Sequence, residues 1–314
     1  MAEMVKKATR ESYGLALAEL GETNPDVVVL DADLASATKS FFFRDKFPDR
    51  FVDCGIAECN MIGVAAGLAT CGKIPFASSF AMFAAGRAFE QVRNSVGYPH
   101  LNVKIAGSHA GISVGEDGAT HQCLEDLALM RTIPGMVVLN PADHYEMQAA
   151  VKAAAEYVGP VYIRLGRLAV ESFNNSDDYH FEIGRGITLR DGRDITVIAT
   201  GLMVSRAVEA VRELEKEGID ARLINLHTLK PLDREIIVRA ARETGKIVTV
   251  EEHNVIGGLG DAVCSVVCSE CPVPVVKIGV NDQFGHSGPA AALLEQYGLC
   301  ASHIEEVVRR VLKK

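Results

Sequence analysis

Three groups of residues in this chain have the types and spacing that chemistry needs. Glu58 opens the segment ECNMIGVAAGLAT, a helical pattern lined with Gly63, Ala65, Ala66, Gly67 and Ala69. An acid in a first helical turn is favoured by the positive end of the macrodipole. A helix of so little side-chain volume also lets another backbone come very close, which suggests a buried carboxylate with a task. Phe80 and Phe83, three residues apart after the strand pattern IPFASS, read by themselves as an aromatic pair on a buried face. The second group is the glycine-rich stretch GSHAGISVGEDGATHQ, residues 107–122, which follows the strand pattern NVKIAG. It places His109 and His121, with Asp117 between them, at the carboxyl end of a strand, where open α/β sheets bind their ligands. Histidine exchanges protons near neutral pH and aspartate can orient hydroxyl groups. Glu116 reads as a solvated loop acid. The third group is PVYIRLGR, residues 160–167. Arg164 lies inside the strand pattern as a structural ion-pair partner, whereas Arg167 stands past Gly166 at the carboxyl edge.

An α/β framework must hold these groups. Residues 6–21 read as an amphipathic helix that Gly21 and Asn24-Pro25 stop. Val27 to Leu30 is a continuous apolar run followed by Asp31-Ala32-Asp33, the pattern of a parallel strand buried on both faces. Strands at about 51–53, 74–78, 102–107, 136–139 and 160–165 alternate with helices at about 58–71, 82–97, 123–131 and 142–157, an open sheet. From Arg167 to Asp194 the pattern lapses into Asn-, Asp-, Gly- and Ser-rich sequence, and a second strand and helix series runs from residue 195 to the closing helices. The expected organisation is α/β with two doubly wound domains, residues 1–170 and 191–314, joined by a linker at 171–190.

At 314 residues with 48% hydrophobic content, two domains can each bury a core. No apolar run approaches the roughly 18 residues of a membrane span, and MAEMVKKATRESYG lacks the apolar region of a signal peptide. A cytoplasmic location, away from membranes, is expected. The net charge of −9 argues against general nucleic-acid binding, which needs clustered Lys and Arg. Small phosphorylated ligands need only one or two placed arginines. The eight cysteines, without a secretory context, are expected to be reduced thiols.

GIAECNMIGVAAGLA followed by IPFASSFAMF resembles the pyrimidine-binding segment of thiamine diphosphate enzymes, and of transketolases in particular. GSHAGISVGEDGATHQ resembles the transketolase substrate loop. DITVIATGLMVSRAVEAV, INLHTLKPLD, VTVEEHNVIGGLG and VNDQFGHSG are similar to the transketolase C-terminal domain, so the resemblance covers nearly the whole chain. It implies a pyrimidine-binding domain followed by a C-terminal-type domain, and transfer of a two-carbon ketol unit between phosphorylated sugars. It implies that Glu58 hydrogen-bonds the cofactor's aminopyrimidine and shares a proton with it, that Phe80 and Phe83 flank that ring, and that Asp33 also contacts the cofactor. His109 would lie near the donor carbon and His121 at the hydroxyls of the reacting end, both assisting proton transfer. Asp117 would bind the hydroxyl that sets stereochemical preference. Arg167 would grip the substrate phosphate, a role that suits its planar guanidinium, with Arg10, Ser36 or Lys39 as weaker matches to further phosphate contacts, the choice among them being open. Where the family often has a further tyrosine or arginine, this chain has Gly86-Arg87.

No stretch supplies the GDG motif that, in the family, holds the diphosphate and its Mg2+ or Ca2+. Glu116-Asp117-Gly118 with Asn140 downstream is faintly similar, but the first glycine is replaced and Asn140 precedes Pro141. The resemblance therefore implies the C-terminal subunit of a split transketolase. A separate N-terminal, diphosphate-binding subunit would ligand the metal, no metal being liganded here, in a heterotetramer with a second copy of this chain. The rivals are half of a deoxyxylulose-phosphate synthase, the beta subunit of a 2-oxoacid dehydrogenase's first component, and an inert scaffold. EDGATHQ fits the sugar-transferring family better than the oxoacid one, and an inert scaffold need not keep Glu58, both phenylalanines and both histidines. Cys264, Cys268 and Cys271 have a spacing that can ligate an iron–sulfur cluster. The preferred reading is a buried helical face of small apolar side chains.

Overall fold

The computed structural model describes residues 5–174 and 179–313. The first sheet has the strand order Thr228–Lys230, Val137–Leu139, Val161–Arg164, Lys104–Ser108, Ile74–Phe80, Val27–Asp31, Phe51–Asp53. All but the first of these run parallel. Val27–Asp31 and Lys104–Ser108 are buried at every position, as strands covered by helices on both faces must be. The period of two is visible in the packing. Val28 and Leu30 meet Met61, Ile62 and Ala65 of the helix Glu58–Thr70 on one face. Val27 and Val29 meet Tyr13 and Leu17 of the helix Thr9–Thr23, together with Met147 and Val151 of His144–Glu156, on the other.

The second sheet has the order Val275–Val280, Ile247–Asn254, Ile195–Ala199, Ala221–Asn225, Ile187–Arg190, with only the last strand antiparallel. Helices Met203–Lys216 and Ala301–Leu312 cover one face, Arg234–Thr244 and Leu259–Glu270 the other. The two α/β domains interlock. Thr228–Lys230 leaves the second domain to pair with Val137–Leu139 of the first, and the Asn140 N–H donates to the His227 carbonyl at 2.8 Å. Asn140 thus serves the domain junction.

Several elements differ from expectation for physical reasons. Lys6–Ala8 is a strand paired antiparallel with Ala169–Glu171, so the first helix begins only at Thr9. The helix expected over 82–97 is a pair of π-helical turns, Met82–Arg87 and Val92–Gly97, around the short turn Phe89–Gln91. The helix expected from 123 starts at Asp126, because Cys123 is held in a bridge to Ala110. Two short helices, Ala35–Thr38 and Phe41–Lys46, were not foreseen. The cysteine face of Leu259–Glu270 is not buried: Cys264 and Cys271 are half-buried and Cys268 is exposed. Among the described residues no group of three or more His, Cys, Asp or Glu could hold a metal ion, and no helix is long and apolar enough to cross a membrane. The stretch 171–190 ends in the strand Ile187–Arg190, and residues 175–178 lie outside those described.

Candidate active site

The turn that delivers Glu58 is tied by Asp53 at the end of its strand. One Asp53 oxygen accepts the backbone N–H groups of Asp33 at 3.1 Å and Gly55 at 2.9 Å. Glu58 then enters the helix with its side chain 1% exposed. Arg87 Nη1 donates to Glu58 Oε2 at 2.9 Å, and Ser79 Oγ donates to Oε1 at 3.4 Å. Both partners come from the following strand-and-turn unit, and sequence reasoning assigned neither to Glu58. A signal existed for Arg87, which stands four residues after Phe83 on a helical pattern. On the outer side, Gly63 and Gly67 are exposed, and a Cβ added at either would meet nothing within 4 Å. Among the described residues, the close backbone approach expected from the small residues is not made.

Phe80 ends the strand Ile74–Phe80, and Phe83 lies in the first π turn. Their rings are 6.0 Å apart and nearly parallel at 9°. His109 stacks on Phe80 at 4.0 Å, while His121 meets Phe83 edge-on at 5.3 Å. The Arg87 guanidinium lies 4.7 Å from the Phe83 ring centre, so Glu58, both phenylalanines and both histidines form one continuous cluster.

His109 has a left-handed backbone, φ 56°, which a residue other than glycine adopts only under constraint. Its Nε2 lies 3.1 Å from Arg10 Nη1 and its Nδ1 lies 2.8 Å from Ser108 Oγ. Arginine can only donate. Nε2 is therefore the acceptor, Nδ1 carries the proton, and Ser108 Oγ receives it. Burial, reinforced by the charges of Arg10, Arg167, His121 and Lys39, pushes its pKa down to about 3, so the ring is neutral at neutral pH. Arg10 also donates to the Ala37 carbonyl at 2.9 Å, drawing the helix Thr9–Thr23 and the turn Ala35–Thr38 together beside His109. Ser36 is exposed on that turn, and Lys39 follows it. Arg167 donates to the Val114 carbonyl and, at 2.9 Å, to Glu116 Oε2. Glu116 is thus an ion-pair partner of Arg167 and not merely a solvated acid.

The second domain holds the loop from below. Gly111 has φ +87°, and a Cβ there would stand 2.4 Å from the Glu252 carboxyl carbon. Glu252 Oε1 accepts the Ser113 N–H at 2.6 Å, and Gln122 Nε2 donates to the His286 carbonyl at 3.0 Å. Arg164 is the structural ion pair expected: its Nε donates to Asp126 at 2.8 Å and its Nη2 to the Glu252 carbonyl at 2.9 Å. Asp117 is exposed at the loop's rim. Asp33, exposed and with φ 60°, directs its backbone N–H to Asp53, not to Glu58 or the rings. Chemically, the cluster offers a stacking surface with a buried acid at its edge, next to a neutral histidine surrounded by cations.

The family model for the transketolase pyrimidine-binding domain matches residues 5–172, and that for the transketolase C-terminal domain matches residues 184–304. A chain named as a transketolase C-terminal section in Methanocaldococcus jannaschii is 50% identical over 312 residues, covering 99% of this chain and 98% of its own length. A 6-deoxy-6-sulfo-D-fructose transketolase subunit of Clostridium sp. strain MSTE9 is 44% identical, covering 97% of this chain and 94% of its own length. A split-gene transketolase solved as an inactive beta4 tetramer superimposes with a TM-score of 0.91 at 57% identity, over 98% of this chain and 99% of that one. With both family domains in order and such relatives matched nearly end to end, the chain belongs to the transketolase family.

Proposed function

We propose that this chain is one subunit of a split transketolase, moving a two-carbon ketol unit from a ketose phosphate to an aldose phosphate together with a separate diphosphate-binding subunit. The observation that carries this reading is the single cluster of Glu58, Phe80, Phe83, His109 and His121 in a chain matched throughout by a split-gene transketolase. The ring end of thiamine diphosphate fits this cluster, which has near-parallel aromatic faces and a buried carboxylate. When bound, that cofactor supplies the nucleophilic carbon and the electron sink. Glu58 exchanges a proton at the ring's edge, Phe80 and Phe83 hold its faces, and Asp33 contacts it from the neighbouring strand end. His109 and His121 take and return hydroxyl protons, His109 being neutral with its Nε2 held by the Arg10 N–H until a substrate hydroxyl replaces that donor. Asp117 reads hydroxyl configuration at the rim.

Arg167 and Arg10, with Ser36 or Lys39, bind the terminal anion. The Clostridium relative, named for a sulfo sugar, is consistent with an anionic group at that position. The partner subunit ligands Mg2+ or Ca2+, two copies of each subunit assemble, and the enzyme works in the cytoplasm. The test is reconstitution with the partner, thiamine diphosphate and magnesium, followed by chromatographic detection of the lengthened sugar phosphate. Decarboxylation of a 2-oxoacid in place of sugar transfer would overturn the reading.

A further inference from the structure

We infer that Arg87 is an internal plug of the ring site, pairing with Glu58 and covering Phe83 until a bound ring turns it outward. The inference rests on the reading of Glu58 and Phe83 as ring contacts. A carboxylate that is 1% exposed needs a partner, and the charge that reaches Glu58 is Arg87, at 2.9 Å on Oε2. Ser79, at 3.4 Å on the other oxygen, is the weaker contact. The same guanidinium lies 4.7 Å from the Phe83 ring centre, within cation–π range. One side chain therefore uses both features that an aminopyrimidine would use, and a ring laid on that face of Phe83 would occupy the layer the guanidinium now fills.

The geometry also makes the plug movable. Arg87 is the last residue of the π turn Met82–Arg87, closed by the Ala88 N–H to the Phe83 carbonyl at 3.1 Å, and such turns recur at functional sites. Its backbone is anchored, since the Arg87 carbonyl accepts Cys59 Sγ at 3.6 Å. Its side chain is 52% exposed and can swing into water without entering another packed region. Only the Arg87 end of the pair meets solvent, Glu58 being 1% exposed, so the pair parts when an incoming ring gives Glu58 a replacement hydrogen bond. The isolated chain thus keeps its buried acid satisfied, and seating the cofactor becomes a competition for Glu58.

The test compares the wild-type chain with Arg87→Gln. In the full chain alone, Arg87→Gln should lower the thermal midpoint, because Glu58 stays buried without its cation. In the complex with the partner subunit, calorimetric titration with thiamine diphosphate and magnesium, without sugar, should show the dissociation constant falling by about threefold or more, since the ring no longer has to displace a cation from a buried acid. Equal or weaker binding by the variant, with normal binding by the wild type, would overturn the plug and make Arg87 a support for Glu58. A wild-type complex that binds no thiamine diphosphate would overturn the ring-site reading and the plug with it. If Arg87→Gln does not fold, Arg87→Lys carries the same titration. It keeps the charge on a group that cannot lie flat on Phe83, so a smaller tightening is expected and unchanged affinity overturns the inference.

Discussion

Glu58 is assigned a proton exchange that shape alone cannot perform. Glu58→Gln preserves size and hydrogen bonding, so the assembled enzyme should keep its thermal midpoint within a few degrees while turnover falls by about a hundredfold or more. A near-native kcat at saturating cofactor would show that the acid is structural. Arg167 and Asp117 are proposed to act on the sugar at separate points. Arg167 is partly buried against Val114 and Glu116, whereas Asp117 is exposed at the rim. A contact to a terminal anion acts alike in ground and transition states, so Arg167→Ala should raise KM for phosphorylated donors more than it lowers kcat. Small unphosphorylated donors should be nearly unaffected. Asp117→Ala should instead erode discrimination between donors that differ in hydroxyl configuration, because a site built to pair with a hydroxyl loses selectivity with its partner. Equal losses for every donor in both variants would indicate general damage to the loop. These residues were legible as candidates because acid, histidine and arginine stood at element ends in open turns. For Arg87 the spacing from Phe83 signalled a shared face, but its reach to Glu58 depends on how two successive units pack.

The elements themselves are joined by a buried acid that sequence reading passed over. Glu146, in the helix capped by Asp143, accepts the Ala142 N–H at 2.6 Å and Asn225 Nδ2 of the second domain at 2.8 Å, as well as the Tyr179 hydroxyl. Burial pushes its pKa up to about 8 from the ordinary 4.5. Between those values the unfolded chain has released the proton and the folded chain has not, so stability falls as pH rises through this window. The window of His109, opened by its lowering from 6.5 to about 3, has the opposite sign and has closed above pH 6.5. The thermal midpoint should therefore decline from about pH 6.5 to about pH 7, above which Lys104, lowered by burial from 10.5 to about 7, contributes a slope of the opposite sign; Glu146→Gln should flatten the decline. Part of the slope should remain near pH 7, because burial also raises Glu251 to about 7. An unchanged slope in the variant would mean that Glu146 is ionised in the fold. Runs such as VVVLD and VYIR were readable as strands because each is apolar up to its last residue and bounded by turn signals. Lys6–Ala8 and Thr228–Lys230 were not, since each is a three-residue strand whose partner lies far along the chain. One π turn is also too short for its period to be told from an α turn.

At the scale of the whole molecule, the order of two α/β domains was legible in the sequence, while their interlocking was not. The exchanged strand Thr228–Lys230 and the contacts of Glu252 and Gln122 make the second domain a support for the histidine loop of the first. The chain thus brings the proposed ring contacts Glu58, Phe80 and Phe83 and the two loop histidines into one preformed cluster. Among its described residues it has no group able to hold the metal that a diphosphate carries. On the proposed reading, affinity for the charged end of the cofactor comes from the diphosphate-binding subunit, because a diphosphate is held through its metal and charge-assisted donors. Purified alone, the chain should bind thiamine diphosphate weakly and transfer no ketol units. Adding the diphosphate-binding subunit with magnesium should restore both binding and turnover, with activity rising to a plateau at equal amounts of the two chains. The measurement is a titration of one subunit against the other, followed by calorimetry for binding and by sugar phosphate formation for rate. Robust turnover from the single chain, with no second protein detectable by mass spectrometry, would contradict the two-subunit arrangement and require a diphosphate site within this chain.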